Sequence, residues 1–396
     1  MSLRLRRRFA ALTCRALQAA LPAHMQSWGW AIRHEVAEIP DDSRALLFAV
    51  GAACGLAPPA LLGRLLHSFA ALAGSRGLSS GGTIIVAMHD KMVSRPRALG
   101  IACAIGAVAL GLAYMGLAGA PGRYLGVNAG ALIIGLVMLA LAGRMMPDAG
   151  RWPGTATMTM AGLLLATGLF GESVEGAARW VKLGGVAVQP SLILVPVMII
   201  AFARSRNALS TAGMIVAALA LSIQPDRAMA AALTAGLTIL AVMRRDRFVV
   251  LALAGSIAGF SATLVRADTL TAAPYVDQVL YSSFDVHPIA GAAVLGGSML
   301  LLVPAMTGWA RDAEYRHVYA VFGIVWLATI FAAALGNYPT PIVGYGGSAI
   351  IGYVLSLTIL PKRAGSSLGV DVGPLDEGDA AMLDRHLRVG VAAIAA

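Results

Sequence analysis

The 396-residue chain is apolar and basic: 58% of its residues are hydrophobic, 13% are charged, and its formal net charge is +10. A mean hydropathy of +0.76 excludes a soluble domain with an ordinary polar surface, and predicts a multi-spanning membrane protein. Backbone polar groups inside lipid must be satisfied within the structure, and the Ala, Gly and Leu runs lack the alternation of barrel strands. We therefore expect an all-α integral membrane fold.

Residues 1–97 are predicted to form an N-terminal extension. Basic and scattered apolar residues share its first 33 positions, as in an amphipathic helix lying on the anionic cytoplasmic leaflet. An apolar segment follows at 45–63 and contains two consecutive prolines. This segment either re-enters the membrane or pairs with a second segment near 67–88.

A polytopic domain is predicted over residues 98–363, followed by a mobile cytoplasmic tail at 364–396. Its apolar stretches are close to the length that a bilayer requires. The ten predicted spans lie near 98–118, 125–143, 157–171, 188–203, 208–222, 228–243, 247–265, 288–309, 317–336 and 344–361.

The distribution of Lys and Arg sets the predicted orientation. These residues accumulate in alternate loops, which should be cytoplasmic, and the loops at 172–187 and 266–287 should then lie outside. The orientation of the chain in the membrane therefore accounts for its positive net charge, and no nucleic-acid partner is needed to explain that charge.

Polar residues interrupt the apolar pattern in the outer loop before the fourth predicted span. The stretch at 175–191 reads EGAARWVKLGGVAVQPS and contains Arg179, Lys182, Gln189 and Ser191. Cations beside a Trp can be interfacial anchors, since basic and aromatic residues gather at that depth. Cations on the outer side run against the charge rule, however, and this favours a binding site.

Two further polar motifs also fall on predicted outer loops. Gln224-Pro225-Asp226 joins the fifth and sixth spans, where it could be a tight turn or contact a substrate. Pro339-Thr340 and the sequence PIVGYGGS at 341–348, with Tyr345 and Ser348, precede the tenth span. Their small residues could serve close helix packing instead.

Metal and nucleotide motifs are absent from the sequence. It contains no HExxH, Walker or GxGxxG pattern, and its three cysteines lack metal or disulfide spacing. We therefore predict no resident metal site.

The order and spacing of these motifs resemble the SEDS family of bacterial cell-wall proteins, the FtsW/RodA/SpoVE group. The resemblance covers residues 98–363 and implies a multi-pass protein of the bacterial inner membrane. It implies a glycosyltransferase that joins lipid II disaccharide units outside the membrane, in cell division or elongation. Arg179, Lys182 or a divalent cation such as Mg²⁺ or Mn²⁺ could stabilise the leaving diphosphate. The implied partners are lipid II and a class B penicillin-binding transpeptidase.

Asp285 is the catalytic residue that the resemblance implies. It stands at the end of an outer loop before the eighth span, eleven positions before Gly296, as the general base does in the family. The alternative is a helix cap before Pro288.

Departures from the family pattern keep other functions open. The Glu of the family's Q-P-S-E is Leu192, and the loop from Arg266 to Phe284 is shorter than usual. A non-catalytic scaffold for a transpeptidase would tolerate these changes. A flippase for a lipid-linked precursor would need ionisable groups within the bundle, which are scarce.

Overall fold

A computed structural model describes residues 26–42, 95–145, 154–266 except 175, and 271–361, with isolated positions between 7 and 49. Helix α1 (Gln26–Glu38) overlaps the predicted amphipathic segment in part. The predicted tail at 364–396 and most of the apolar segment at 45–63 lie outside the described residues.

Helices coincide with all ten predicted spans to within a few residues, because each apolar run ends at a charged residue, a glycine or a proline that stops the pattern. The helices are α2 (Pro96–Leu117), α3 (Gly122–Met145), α4 (Gly154–Phe170), α5 (Pro190–Arg204), α6 (Ala208–Ile223), α7 (Arg227–Met243), α8 (Arg247–Val265), α9 (Val279–Val286), α10 (Pro288–Leu300), α11 (Val303–Arg311), α12 (Arg316–Leu335) and α13 (Gly347–Ser356).

The lengths of the apolar helices confirm the prediction of a multi-pass membrane protein. Within the described residues, five apolar stretches of 19 to 24 residues are long enough to cross a membrane. They are Pro96–Leu117, Gly122–Arg144, Arg247–Val265, Pro288–Arg311 and Arg316–Leu335. The other apolar helices have 10 to 17 residues.

The eighth predicted span is broken into α10 and α11. Pro304 has no backbone N–H, so it cannot complete the helical hydrogen bond of the preceding turn. The buried Tyr353 hydroxyl donates to the Leu301 carbonyl at the break, over 3.2 Å. Such a partner is needed where a helix is interrupted in apolar surroundings.

The loop between α4 and α5, which is predicted to lie outside the membrane, differs from the all-α prediction because it forms a small antiparallel sheet. Its strands are β1 (Glu172–Val174), β2 (Ala177–Leu183) and β3 (Val186–Val188), in that order. Gly184 and Gly185 join β2 to β3 with φ of +56° and +81°. Positive φ at both central residues is what a two-residue hairpin turn requires.

Helix α13 packs closely against α5, with α3 on another side. A Cβ added to Gly352 would lie 2.1 Å from the Leu192 carbonyl oxygen. Glycine therefore permits this approach, as small residues commonly do between membrane helices.

Replacing Gly352 by Ala is expected to lower the stability of the folded bundle by about 1–3 kcal/mol, because α13 and α5 must separate. Gly143→Ala is the matched control, since Gly143 also lies in a helix but has no atom within 4 Å of its added Cβ. The midpoint of thermal unfolding in detergent should fall for Gly352→Ala alone. Equal midpoints for the two variants would contradict this packing.

Candidate functional site

The sheet separates the two cations of the outer loop. Successive side chains of a strand point to opposite faces, and Arg179 and Lys182 are three positions apart on β2. Arg179 is only 3% exposed, whereas Lys182 is exposed beside the turn. The sequence could not distinguish the two residues until the loop was known to be a strand.

Arg179 is held against two other predicted motif regions. Its Nη2 donates to the Pro225 carbonyl, and its guanidinium lies 5.8 Å from the centre of the Tyr338 ring. The side chain thereby links β2 to the turn between α6 and α7 and to the segment before α13.

A cavity of about 300 Å³ opens beside Arg179. We call it the outer cavity, because the loops that line it are predicted to lie outside the membrane. The charged, amide and hydroxyl side chains in its lining are Arg179, Gln189, Thr271, Asp277, Asn337, Thr340, Tyr345 and Ser348. Five of these eight were predicted from the sequence, and Thr271, Asp277 and Asn337 were not. The structure thus brings together residues that are up to 169 positions apart in the chain, counted from Arg179 to Ser348.

A buried network supports the floor of the outer cavity. The Gln189 backbone N–H donates to Ser348 Oγ over 2.9 Å. Gln189 Nε2 and Ser191 Oγ donate to Asp226 Oδ2, over 3.0 and 2.6 Å. Charged groups in such a fully buried position require several donors. This network connects the predicted motifs of α5, α7 and α13.

Asp226 and Gln224 have structural roles. Asp226 is fully buried and caps α7, because its Oδ1 accepts from the Met229 backbone N–H over 3.2 Å. Gln224 Nε2 donates to the Leu164 carbonyl over 2.5 Å. Neither side chain lines the outer cavity, and Ser191 also lies outside its lining. These three residues hold the site together.

Asp277 is the carboxylate of the outer cavity, and sequence reasoning missed it. It is half-buried, and its Oδ2 accepts from the Ala273 backbone N–H over 2.8 Å. It precedes α9, the helix that contains Asp285. No local pattern marked it, because its position depends on contacts with a distant part of the chain.

Those contacts come from the segment before α13. The Tyr345 backbone N–H donates to the Tyr275 carbonyl over 2.6 Å, and that of Thr340 donates to the Val276 carbonyl over 2.9 Å. Asp277 also forms an isolated bridge with Pro339. The motif at 339–348 therefore positions the loop that carries Asp277.

The backbone on both sides of Asp277 is strained. Tyr275 has φ of +64° and Gln278 has φ of +56°, a region that costs a non-glycine residue of order 1–3 kcal/mol. The hydrogen bonds to Thr340 and Tyr345 hold the segment in this conformation. Strain of this kind concentrates at functional sites.

Asp285 lies elsewhere. It is exposed near the end of α9, and it does not line the outer cavity. It is not the cap of α10 either, because His287 Nδ1 accepts from the Ile289 N–H over 3.1 Å. The structure brings Asp277 to Arg179 and Gln189, and leaves Asp285 and Lys182 outside the lining.

Asn128 is a further residue that sequence reasoning did not select. This buried side chain of α3 donates to the Gly344 carbonyl over 2.8 Å and accepts from the Gly346 N–H over 3.1 Å. Tyr124, one turn earlier, stacks on Tyr345 with 3.9 Å between ring centres. A lone amide within an apolar helix was the available signal, since polar groups inside a membrane are expensive.

A divalent cation remains a prediction. The described residues contain no group of three or more His, Cys, Asp and Glu side chains that could hold a metal ion. The outer cavity offers one carboxylate, Asp277, together with amide oxygens. Mg²⁺ commonly binds one or two carboxylates together with substrate phosphates, so this donor set fits an ion that arrives with a diphosphate.

The solved structures that are similar to this chain include one protein in two forms. The chain is similar to the rod shape determining protein RodA of Thermus thermophilus, with a TM-score of 0.47 and 19% identity over 66% of this chain and 93% of RodA. A single-residue mutant of the same RodA matches with the same TM-score and identity, over 66% and 94% of the two chains. No family model and no curated protein sequence matches.

Proposed function

We propose that this protein is a glycosyltransferase of the SEDS kind, which joins lipid II disaccharide units into glycan strands on the outer face of the bacterial inner membrane. One observation carries the proposal. Residues of two separate outer motifs, 175–191 and 339–348, line a single cavity together with a carboxylate and a guanidinium. A carboxylate can act as the general base of a glycosyl transfer, and a guanidinium can stabilise the leaving diphosphate.

Asp277 serves as the general base in this proposal. The acceptor hydroxyl gives its proton to the Asp277 carboxylate, and its oxygen forms a bond to the anomeric carbon of the donor sugar. The bond between that carbon and the phosphate oxygen breaks, and the electron pair leaves with the lipid diphosphate. Arg179 stabilises the negative charge that develops on this leaving group.

Asp277 is preferred to Asp285 on geometric grounds. A base must come within hydrogen-bond reach of the proton that it takes. Asp277 lines the cavity that contains Arg179, whereas Asp285 is exposed on α9. Only Asp285 has the eleven-position spacing to Gly296 that the resemblance implies, so the preference for Asp277 rests on the geometry of the cavity.

Uncharged groups of the outer cavity are suited to holding the substrate. The Thr340 hydroxyl is buried and has no hydrogen-bond partner within the described part of the chain. Buried polar groups without partners are costly, so a ligand hydroxyl or phosphate oxygen would satisfy it. Gln189 and Ser348 line the same cavity from the buried network.

The direct test is polymerisation of lipid II by the purified chain with Mg²⁺ or Mn²⁺ present. We expect glycan polymers that are absent when lipid II or the protein is omitted. A folded chain that binds a class B transpeptidase and forms no polymer would instead be a scaffold. Lipid II that crosses a vesicle membrane without being polymerised would indicate a flippase.

A further inference from the structure

A second cavity lies on the other side of Asp277. It has a volume of about 330 Å³ and is lined near the end of α2 by Tyr114 and near α9 by Gln278 and Ser282. Its size is at the lower end of the range for ligand sites, about 300–1,000 Å³. It can therefore accommodate part of a sugar chain but not an entire lipid-linked precursor.

The strained segment at 271–278 forms the wall between the two cavities. Asp277 and Ala273 line both of them. Tyr275 lines only the second cavity, and Val276 lines only the outer cavity. The carboxylate of Asp277 thus lies where the two cavities meet.

The two cavities differ in charge. Arg179 lines the outer cavity, while the described residues that line the second cavity include no Lys or Arg. The second cavity offers hydroxyl, amide and aromatic groups from Tyr114, Gln278 and Ser282. Such groups recognise a neutral, hydroxyl-rich ligand, whereas a diphosphate requires a cation.

We infer that the second cavity binds the neutral saccharide end of the acceptor and presents its hydroxyl to Asp277, while the outer cavity holds the diphosphate end of the donor. The inference rests on the proposed function, and adds to it the place of each substrate. The base then lies at the junction of the two sites, where the acceptor oxygen must meet the anomeric carbon. Holding both reactants with their reacting atoms next to each other lowers the entropic part of the activation barrier.

Two probes test this division with the full chain in lipid nanodiscs. The first is the N-acetylglucosamine–N-acetylmuramic acid disaccharide without lipid or phosphate, and the second is undecaprenyl diphosphate. Ser282→Leu, which fills the second cavity, should weaken equilibrium binding of the disaccharide by roughly 10-fold or more. It should leave binding of undecaprenyl diphosphate within about twofold, and Arg179→Gln should have the opposite pattern.

Ser222→Leu is the matched control, because Ser222 lies near the outer end of α6 and lines neither cavity. Ser282→Ala removes only the hydroxyl, and should weaken disaccharide binding even if the Leu variant fails to fold. Normal binding of both probes by folded Ser282→Leu, in a protein that polymerises lipid II, would overturn the division alone. A wild-type chain that polymerises no lipid II would overturn the proposed function, and the acceptor role with it.

Discussion

Replacing Asp277 by Asn is expected to reduce lipid II polymerisation by on the order of 100-fold or more. The amide retains the size of the side chain, and its oxygen can still accept the hydrogen bond from Ala273, but it cannot take a proton from the acceptor. Separation of the glycan products by size would measure the loss. Binding of undecaprenyl diphosphate should persist, because Arg179 is unchanged.

Asp285→Asn is the matched control for this experiment. It makes the same chemical change in the same outer region, on an exposed residue that does not line the outer cavity. We expect its activity to remain within about twofold of wild type, as for most surface substitutions. Loss of activity in Asp285→Asn, with normal activity in Asp277→Asn, would return the base to Asp285.

Replacing Arg179 by Lys is expected to reduce polymerisation by roughly 10- to 100-fold, although the charge is retained. The guanidinium contacts the Pro225 carbonyl and the Tyr338 ring while it lines the outer cavity. A lysine ammonium is a point charge and cannot reproduce these contacts together with a bidentate grip on a phosphate. Initial rates at several lipid II concentrations would show the change.

Lys182→Ala is the comparison for Arg179→Lys. Lys182 belongs to the same strand, but is exposed beside the hairpin turn. Its removal should leave the polymerisation rate nearly unchanged. Should Lys182→Ala be the more damaging variant, the diphosphate would have to bind outside the outer cavity.

The spans were predictable because the membrane imposes one dominant requirement on each. A run of about 20 apolar residues must form a helix in lipid, whatever its neighbours do. The sheet at 172–188 was missed although its signal was present. Residues 177–188 read AARWVKLGGVAV, in which Gly-Gly separates two short segments, a recognised hairpin pattern. The polar residues of this loop indicated a binding site, and polar residues by themselves do not reveal the backbone conformation.

Five of the eight charged, amide and hydroxyl residues that line the outer cavity could be selected, because they belong to motifs with distinctive local composition. Asp277 could not be selected in this way. Its position depends on hydrogen bonds from Thr340 and Tyr345, more than 60 positions away. Local spacing instead selected Asp285, whose distance to Gly296 suited the pattern. Pairing between two loops is a non-local property, and one sequence alone does not reveal it.

The backbone pairing between residues 275–277 and 339–345 has a consequence for evolution and for engineering. A loop that receives its shape from another loop cannot be exchanged alone, because the incoming carboxylate would lose the backbone that sets its direction. Chimaeras with a protein of the same fold should therefore function only when both segments come from the same parent. The two loops must be inherited together, although the whole of α9 to α12 separates them in the chain.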